Sequence, residues 1–336
     1  MNPQARHVSV IGAGSWGTAL ALQLARNQHR VSLWGRNAAH MAELAQARCN
    51  RRYLPTIALP DNIEASADLA RALEETALVL VVVPSRGFRA VIRQLKPLCA
   101  TAPLLAWASK GLESGSGKRL DQVLLEEWPG IAHYGVVSGP TFALELAKGL
   151  PTAVTIAANS ETASHDIAAF LHGGNLRCYT STDIVGVEFG GASKNVLAIA
   201  AGIADGLHFG ANTRAALITR GLAEMVRLGT AVGGQAATFH GLAGLGDLIL
   251  TCTDDQSRNR RLGLALARGE TLEAALASIQ QVVEGVDSAR ELHQLALSYG
   301  VDMPISTNVY RVLYEGLAPA DAVRELLERE MKAETD

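Results

Sequence analysis

The sequence predicts an α/β protein in which an N-terminal parallel-sheet domain, residues 1–189, is followed by an all-helical domain, residues 190–336. Three observations carry that prediction. A glycine-rich turn lies between a strand-like and a helix-like run at the start of the chain, strand-like runs alternate with helical ones as far as Ala157, and beyond about Gly190 the apolar pattern keeps a helical period alone. With 336 residues, 48% hydrophobic and 19% charged, the chain can build two cores.

The first strand, His7–Ile11, runs straight into Gly12-Ala13-Gly14-Ser15-Trp16-Gly17 and then into a helical pattern, Thr18–Asn27. This is the strand, GxGxxG turn and helix order of a Rossmann-type dinucleotide domain. Gly12 permits the tight turn, Gly14 lets the backbone approach a pyrophosphate, Gly17 lets helix and strand pack, and the helix N-terminus faces the phosphates. The plain alternative is a glycine-rich turn with no ligand. A second strand, Arg30–Trp34, ends in Gly35-Arg36-Asn37, where an acid usually accepts the ribose hydroxyls of NAD. No acid stands there. Arg36, helped by Arg51 or Arg52, suits the 2′-phosphate of NADP, so NADPH is the expected cofactor, with NAD also possible. The other reading of Arg36 is a solvated charge that stacks on adenine.

Further strand-like runs at Leu78–Val83, Leu104–Ala108, Tyr134–Val137 and Ala153–Ala157 predict a parallel sheet wrapped by helices. Ligands collect at the carboxyl ends of such strands, which directs attention to Pro84-Ser85, Lys110-Gly111 and Ser138-Gly139-Pro140-Thr141. Lys110 can hold a phosphate or a carbonyl oxygen there, or be an ordinary loop charge.

The helical half reads as Ala192–Ile203, Ala211–Leu228, Arg261–Arg268, Leu272–Ala277, Ser288–Tyr299 and Ile305–Glu315. A boundary near Gly186 follows, with a cleft between the two halves as the place for substrate. Lys194 stands alone among Ala, Val, Leu and Ile, on a helix apolar nearly all round. A lysine taken out of water must pair, neutralise or do chemistry, unless it snorkels from the helix end. Gly190 and Gly191, read as lying just before that helix, point to close approach of a ligand or another segment. Asp247, a lone acid in LAGLGDLILTC, calls for a cationic partner, with Lys194 the obvious one and a helix N-cap the alternative. Ser257-Arg258-Asn259-Arg260-Arg261 opens a helix with a basic cluster, and within it Ser257 to Asn259, a helix N-terminus with a guanidinium and an amide, suit a phosphate monoester or else are part of a solvated charge run.

A net charge of -3 gives no pointer to nucleic acid, and the longest aliphatic run, Leu78–Val83, is too short to span a bilayer. No signal-peptide pattern is seen, so the expectation is a cytoplasmic protein without membrane attachment. The four cysteines form no CxxC pair and the nine histidines no HExxH, which leaves a metal site without support. A frayed end is expected over Arg329–Asp336. Association, by default, is as a homodimer.

GAGSWGTALA, ASKGLE, SGPTFALELA, GVEFGGASKNVLAIAAGI, GLAGLGDLILTC with SRNRRLG, and VVEGV, six blocks in this order, resemble bacterial-type NAD(P)-dependent glycerol-3-phosphate dehydrogenase over nearly the whole chain. The resemblance implies hydride transfer between NAD(P)H and dihydroxyacetone phosphate, giving sn-glycerol 3-phosphate for phospholipid synthesis. It makes Lys194 the proton donor and acceptor, Lys110 a second lysine touching cofactor and substrate, and Asp247 the acid near them. It places Ser257, Arg258 and Asn259 at the substrate phosphate, with Arg258 also near the nicotinamide. Ser15, Trp16, Arg36, Gly139, Ala143, Val282 and Glu284 fall on the cofactor side, and Gly139 and Thr141 border the substrate. Thr141 stands where many members have serine, which keeps the hydroxyl. Two rival readings are a hydroxyacid or 6-phosphogluconate type of dehydrogenase, and a non-catalytic nucleotide sensor that would leave the lysines unexplained.

Overall fold

The computed structural model describes residues 5–99, 101–331 and 333, so part of the expected frayed end, residues 332 and 334–336, lies outside the described residues. Within it, Arg329 is tied to Asp302 by an ion pair at 2.7 Å.

Eight strands form one sheet: β1 (His7–Ile11), β2 (Arg30–Trp34), β3 (Ile63–Ser66), β4 (Leu78–Val81), β5 (Leu104–Trp107), β6 (Tyr134–Ser138), β7 (Thr152–Ala158) and β8 (Leu176–Ser181). Their order is β3-β2-β1-β4-β5-β6-β7-β8. The first six in this order repeat the doubly wound dinucleotide arrangement, which reverses between β1 and β4. Ile11 to Gly17 therefore sits where a ligand crevice opens.

The sheet is mostly parallel, as expected, with one exception: β7 runs antiparallel to β6 while every other pairing is parallel. A parallel return needs a crossover that spans the sheet. The segment after β6 holds only the six-residue helix Ala143–Lys148, and the chain turns back instead. Strands β3 and β8 were not predicted. In β8 the residues after Leu176 are mostly exposed, and β3 is four residues long with a glutamate second, so neither shows an apolar run.

Helices cover both faces. Ser15–Arg26 and Glu161–Leu171 pack on one side with Val8, Val10, Val31 and Leu33, while Ser85–Leu95 and Leu120–Glu127 pack on the other with Val79, Val81 and Trp107. The third core belongs to the helical half, built around the 23-residue helix Ile184–Gly206. That helix is long and apolar enough to cross a membrane, yet 94% of its most apolar stretch is buried inside the molecule.

The central helix starts earlier than its apolar pattern suggested. Asp183 caps it, its Oδ1 accepting from the Gly186 N–H at 2.9 Å, and Oδ2 accepts from Gln235 N at 2.9 Å and Thr238 Oγ1 at 2.6 Å. Gly190 and Gly191 are thus inside the helix, not ahead of it, and residue 190 falls within one continuous element. Their close approach is real but internal: a Cβ on Gly190 would stand 2.5 Å from the Ala243 carbonyl, and one on Gly191 3.1 Å from Ser138 Oγ. A buried bond holds the helix to the sheet, Trp107 Nε1 donating to Glu188 Oε1 at 2.8 Å. Burial, with Asp121 nearby, pushes the Glu188 carboxyl well above its ordinary range.

The helix Arg258–Ala267 meets the central helix through glycine. A Cβ on Gly202 would overlap the Arg260 carbonyl, and one on Gly263 the Ile199 carbonyl. Only a side chain of hydrogen allows the two backbones this separation. Gly263→Val should therefore destabilise the fold by about 1–3 kcal/mol or more as the helices are forced apart. A urea midpoint equal to that of the unsubstituted protein would show that the contact tolerates side chains.

Candidate active site

The glycine-rich turn is shaped by three different needs. Gly12 has φ 128°, a conformation few other residues tolerate, and its N–H donates to the Trp34 carbonyl at 2.8 Å. A Cβ on Gly17 would overlap the Gly12 carbonyl, so Gly17 fixes how closely helix and turn pack. Gly14 differs from both: a Cβ there would meet nothing within 4 Å. Its open side, the free N–H groups of the helix Ser15–Arg26 and the lack of any acid in the first turn fit a dinucleotide pyrophosphate. The buried Trp16 Nε1 beside it has no hydrogen-bond partner. Arg36 follows β2 directly, is exposed, and makes no ion pair among the described residues, so it is free to meet an anion.

Three segments converge across the cleft from this turn. Lys110 comes from the end of β5, Lys194 from the middle of the central helix, and Asp247 from the first turn of the helix Asp247–Thr253. Lys194 Nζ donates to Asp247 Oδ1, and Lys110 Nζ donates to Oδ2 at 2.7 Å and weakly to the Gly139 carbonyl at 3.4 Å. Asp247 is 0% exposed and caps nothing, which settles the alternatives left by the sequence: the acid serves the lysines. Thr251, one turn on, steadies it by donating to its carbonyl at 2.6 Å.

The electrostatics follow from burial. Desolvation pulls the Lys194 ammonium down to about 7, against the attraction of Asp247 and with help from the nearby Lys110 charge. For Asp247, burial pushes the carboxyl up, but the two ammonium groups outweigh it and hold it below its ordinary range. The lysine does not snorkel; it is 6% exposed.

The basic cluster divides into two faces. Ser257 caps its helix, accepting from Arg260 N at 3.2 Å. Arg260 turns inward to Asp205 and, at 2.9 Å, to Asp255. Asn259 is buried, its Oδ1 accepting from Gly285 N and its Nδ2 donating to Asn195 Oδ1, each at 2.9 Å. Asn195 in turn reaches Glu284 Oε2 at 3.5 Å.

A cleft of about 590 Å³ joins these parts. Of the residues predicted from sequence, Ser15, Trp16, Lys110, Thr141, Ala143, Lys194, Ser257, Arg258, Asn259 and Glu284 line it, with Asp247 beneath the lysines. Gly12, Gly14, Gly17, Arg36, Gly139 and Val282 do not line it; Gly139 touches it through Lys110, and Gly14 and Arg36 follow the carboxyl ends of β1 and β2. Thr251, Gln256, Arg261 and Gln281 line it without having been assigned a role. Thr251 had a signal, lying four residues after Asp247 on one helical face. A larger apolar cavity of about 850 Å³, among Leu217, Ile305, Val323 and Leu326, lies in the helical half and contains neither lysine nor any part of the glycine turn.

What such a cleft can do is narrow. A dinucleotide turn on one wall and an amine poised near neutrality on the other make the protein a two-domain, nicotinamide-dependent oxidoreductase. Residues 7–164 match the family profile described as NAD-dependent glycerol-3-phosphate dehydrogenase N-terminus, and residues 183–324 its C-terminus. The chain is 57% identical to glycerol-3-phosphate dehydrogenase [NAD(P)+] of Thioalkalivibrio sulfidiphilus, covering 97% of this chain and 98% of that one. Its structure is similar to glycerol-3-phosphate dehydrogenase of Coxiella burnetii, with TM-score 0.94, 47% identity and 97% and 100% coverage. The enzyme from Saccharomyces cerevisiae is similar at TM-score 0.83 and 26% identity, with 97% and 100% coverage. The chain belongs to the NAD-dependent glycerol-3-phosphate dehydrogenase family.

Proposed function

We propose that this protein is a glycerol-3-phosphate dehydrogenase (NAD(P)+), interconverting dihydroxyacetone phosphate and sn-glycerol 3-phosphate. The observation that carries the site assignment is the pair of lysines on one buried aspartate at the mouth of the cleft. Bound NAD(P)H supplies the hydride to the substrate C2 carbonyl and NAD(P)+ accepts it in reverse.

In this reading Ser15, Trp16, Ala143, Arg258 and Glu284 hold the cofactor along the cleft, with Gly12, Gly14 and Gly17 shaping its turn. Lys194 protonates the C2 oxygen in reduction and takes the proton back in oxidation, and Lys110 supplies a second donor to the same oxygen. Asp247 fixes both amines. Gly139 and Thr141 border the substrate, and Ser257, Arg258 and Asn259 grip its phosphate, so that remote binding becomes orientation of the carbonyl. Asn259 brings one amide hydrogen to that task, because its other groups are held by Asn195 and Gly285.

Arg36 supports NADPH as the favoured cofactor, since it stands unpaired where an acid would select NAD. A reductive direction and supply of a phospholipid backbone fit that choice. Four free cysteines fit a reducing, cytoplasmic setting. A homodimer, and a division of labour near residue 190 between a cofactor half and a substrate half, complete the proposal.

The direct test follows reduced-nicotinamide absorbance with dihydroxyacetone phosphate, NADPH or NADH, and unphosphorylated dihydroxyacetone as control. Turnover that needs the phosphate supports the assignment; none with either cofactor sinks it. Lys194→Ala should lower kcat by about 10²–10⁴-fold with cofactor affinity nearly intact. With Lys194 near 7, the reduction rate should fall as pH rises through about 7, where the donor proton is lost, and the oxidation rate should rise over the same range. A pair of profiles that move together would remove Lys194 from the proton path. For Arg36→Ala, the KM for NADPH should rise about 10- to 100-fold and that for NADH far less, and equal effects would end the 2′-phosphate assignment.

A further inference from the structure

We propose that Arg261 is a specificity-determining residue of this site, a second guanidinium that completes the binding of the substrate's phosphate dianion. The inference rests on the dihydroxyacetone phosphate reading above and assigns a residue that reading leaves without a role.

Geometry comes first. Ser257, Arg258 and Arg261 all line the cleft from the first turns of one ten-residue helix, with Arg258 and Arg261 three apart and so on one face. Helical side chains lean toward the N-terminus, here the end capped by Ser257. The neighbouring Arg260 points the other way, into Asp205 and Asp255.

The Arg261 side chain has no hydrogen-bond or ion-pair partner among the described residues. Its Nε is buried without a hydrogen bond, and among the described residues it forms no ion pair. None of the acids nearby pairs with it: Asp255 pairs with Arg260, Asp254 accepts from the Gln256 N–H at 2.7 Å, and Glu284 accepts from Asn195 Nδ2 at 3.5 Å. A guanidinium kept unpaired in a cleft opposes the dipole of its own helix as well as losing water, unless an anion binds there.

Charge then selects the anion. The two lysines and Asp247 sum to one positive charge, which is used at the carbonyl end. A phosphate monoester carries close to two negative charges, and Arg258 alone offsets one. Arg261 supplies the other, along with fork geometry matched to phosphate. The glycine turn that would hold the cofactor pyrophosphate belongs to the helix Ser15–Arg26, a different element from the helix of Arg261.

The test compares Arg261→Gln and Arg261→Lys with the unsubstituted enzyme. The readouts are KM for dihydroxyacetone phosphate, KM for NADPH, and calorimetric affinity for inorganic phosphate without cofactor. Arg261→Gln should weaken both dihydroxyacetone phosphate and inorganic phosphate by about 10- to 100-fold, with Arg261→Lys in between and KM for NADPH within about twofold. Unchanged phosphate affinity overturns the inference, and so does a KM for NADPH that rises more than that for dihydroxyacetone phosphate. Should Arg261→Gln fail to fold, Arg261→Lys carries the same comparison, since it keeps the charge and loses the fork. An unsubstituted enzyme that ignores dihydroxyacetone phosphate refutes the substrate assignment instead, while the phosphate calorimetry still decides the role of Arg261.

Discussion

The structure depends on one buried carboxylate shared by two ammonium groups, that of Lys194 buried with it and that of Lys110 at the cleft wall. A buried charge is tolerated only when partners replace its hydration, and Asp247 has two. Meeting that condition requires the end of β5, the middle of the central helix and the start of Asp247–Thr253 to arrive at one point. Much of the local sequence follows from this. Gly190 lets the turn Leu242–Gly246 come against the central helix, and a Cβ on Gly244 would overlap Phe239, so the segment that delivers Asp247 is packed backbone to backbone.

The same convergence sets the protonation states. Asp247 between two cations stays ionised, while Lys194 shares its counter-ion with Lys110 and has lost its water, so its proton is loosely held, at about 7. An isolated lysine would hold its proton too firmly to give it up, and a lysine with a carboxylate to itself would hold it more firmly still. Burial is what brings Lys194 into a useful range, and Asp247, shared with Lys110, restores only part of the lost hydration.

The sequence makes the chemistry legible and the architecture only partly so. The glycine turn, the lone Lys194 and the lone Asp247 stand out because each breaks a local rule: glycine where side chains are normal, charge where apolar residues are normal. Their pairing could be anticipated for the same reason, since an acid and a base stranded in apolar runs need each other. Strand β8 breaks no rule and shows no apolar stripe, because it sits at the sheet edge with most of its side chains in water. The reversal of β7 is equally silent, being set by how little helix follows β6. The true start of the central helix depends on Asp183 meeting Gln235 and Thr238, partners some fifty residues away that no local pattern reports. In the basic cluster, sequence gives three arginines in four positions, and only the structure separates Arg260, bound inward, from Arg258 and Arg261 on the cleft wall.

On the proposed reading, that separation lets one cleft handle two anionic tasks without confusing them. In the proposed reading, the oxygen that gains charge in reduction meets two lysines and one aspartate that together carry one positive charge, which offsets the charge developing there. In the same reading the phosphate, whose charge does not change during the reaction, meets guanidinium groups whose planar fork matches its oxygens. Lysines at the reacting end and arginines at the gripping end are therefore not interchangeable. The chain holds them apart by carrying them on different elements, and it ties β5, which leads to Lys110, to the helix of Lys194 through the buried bond between Trp107 and Glu188.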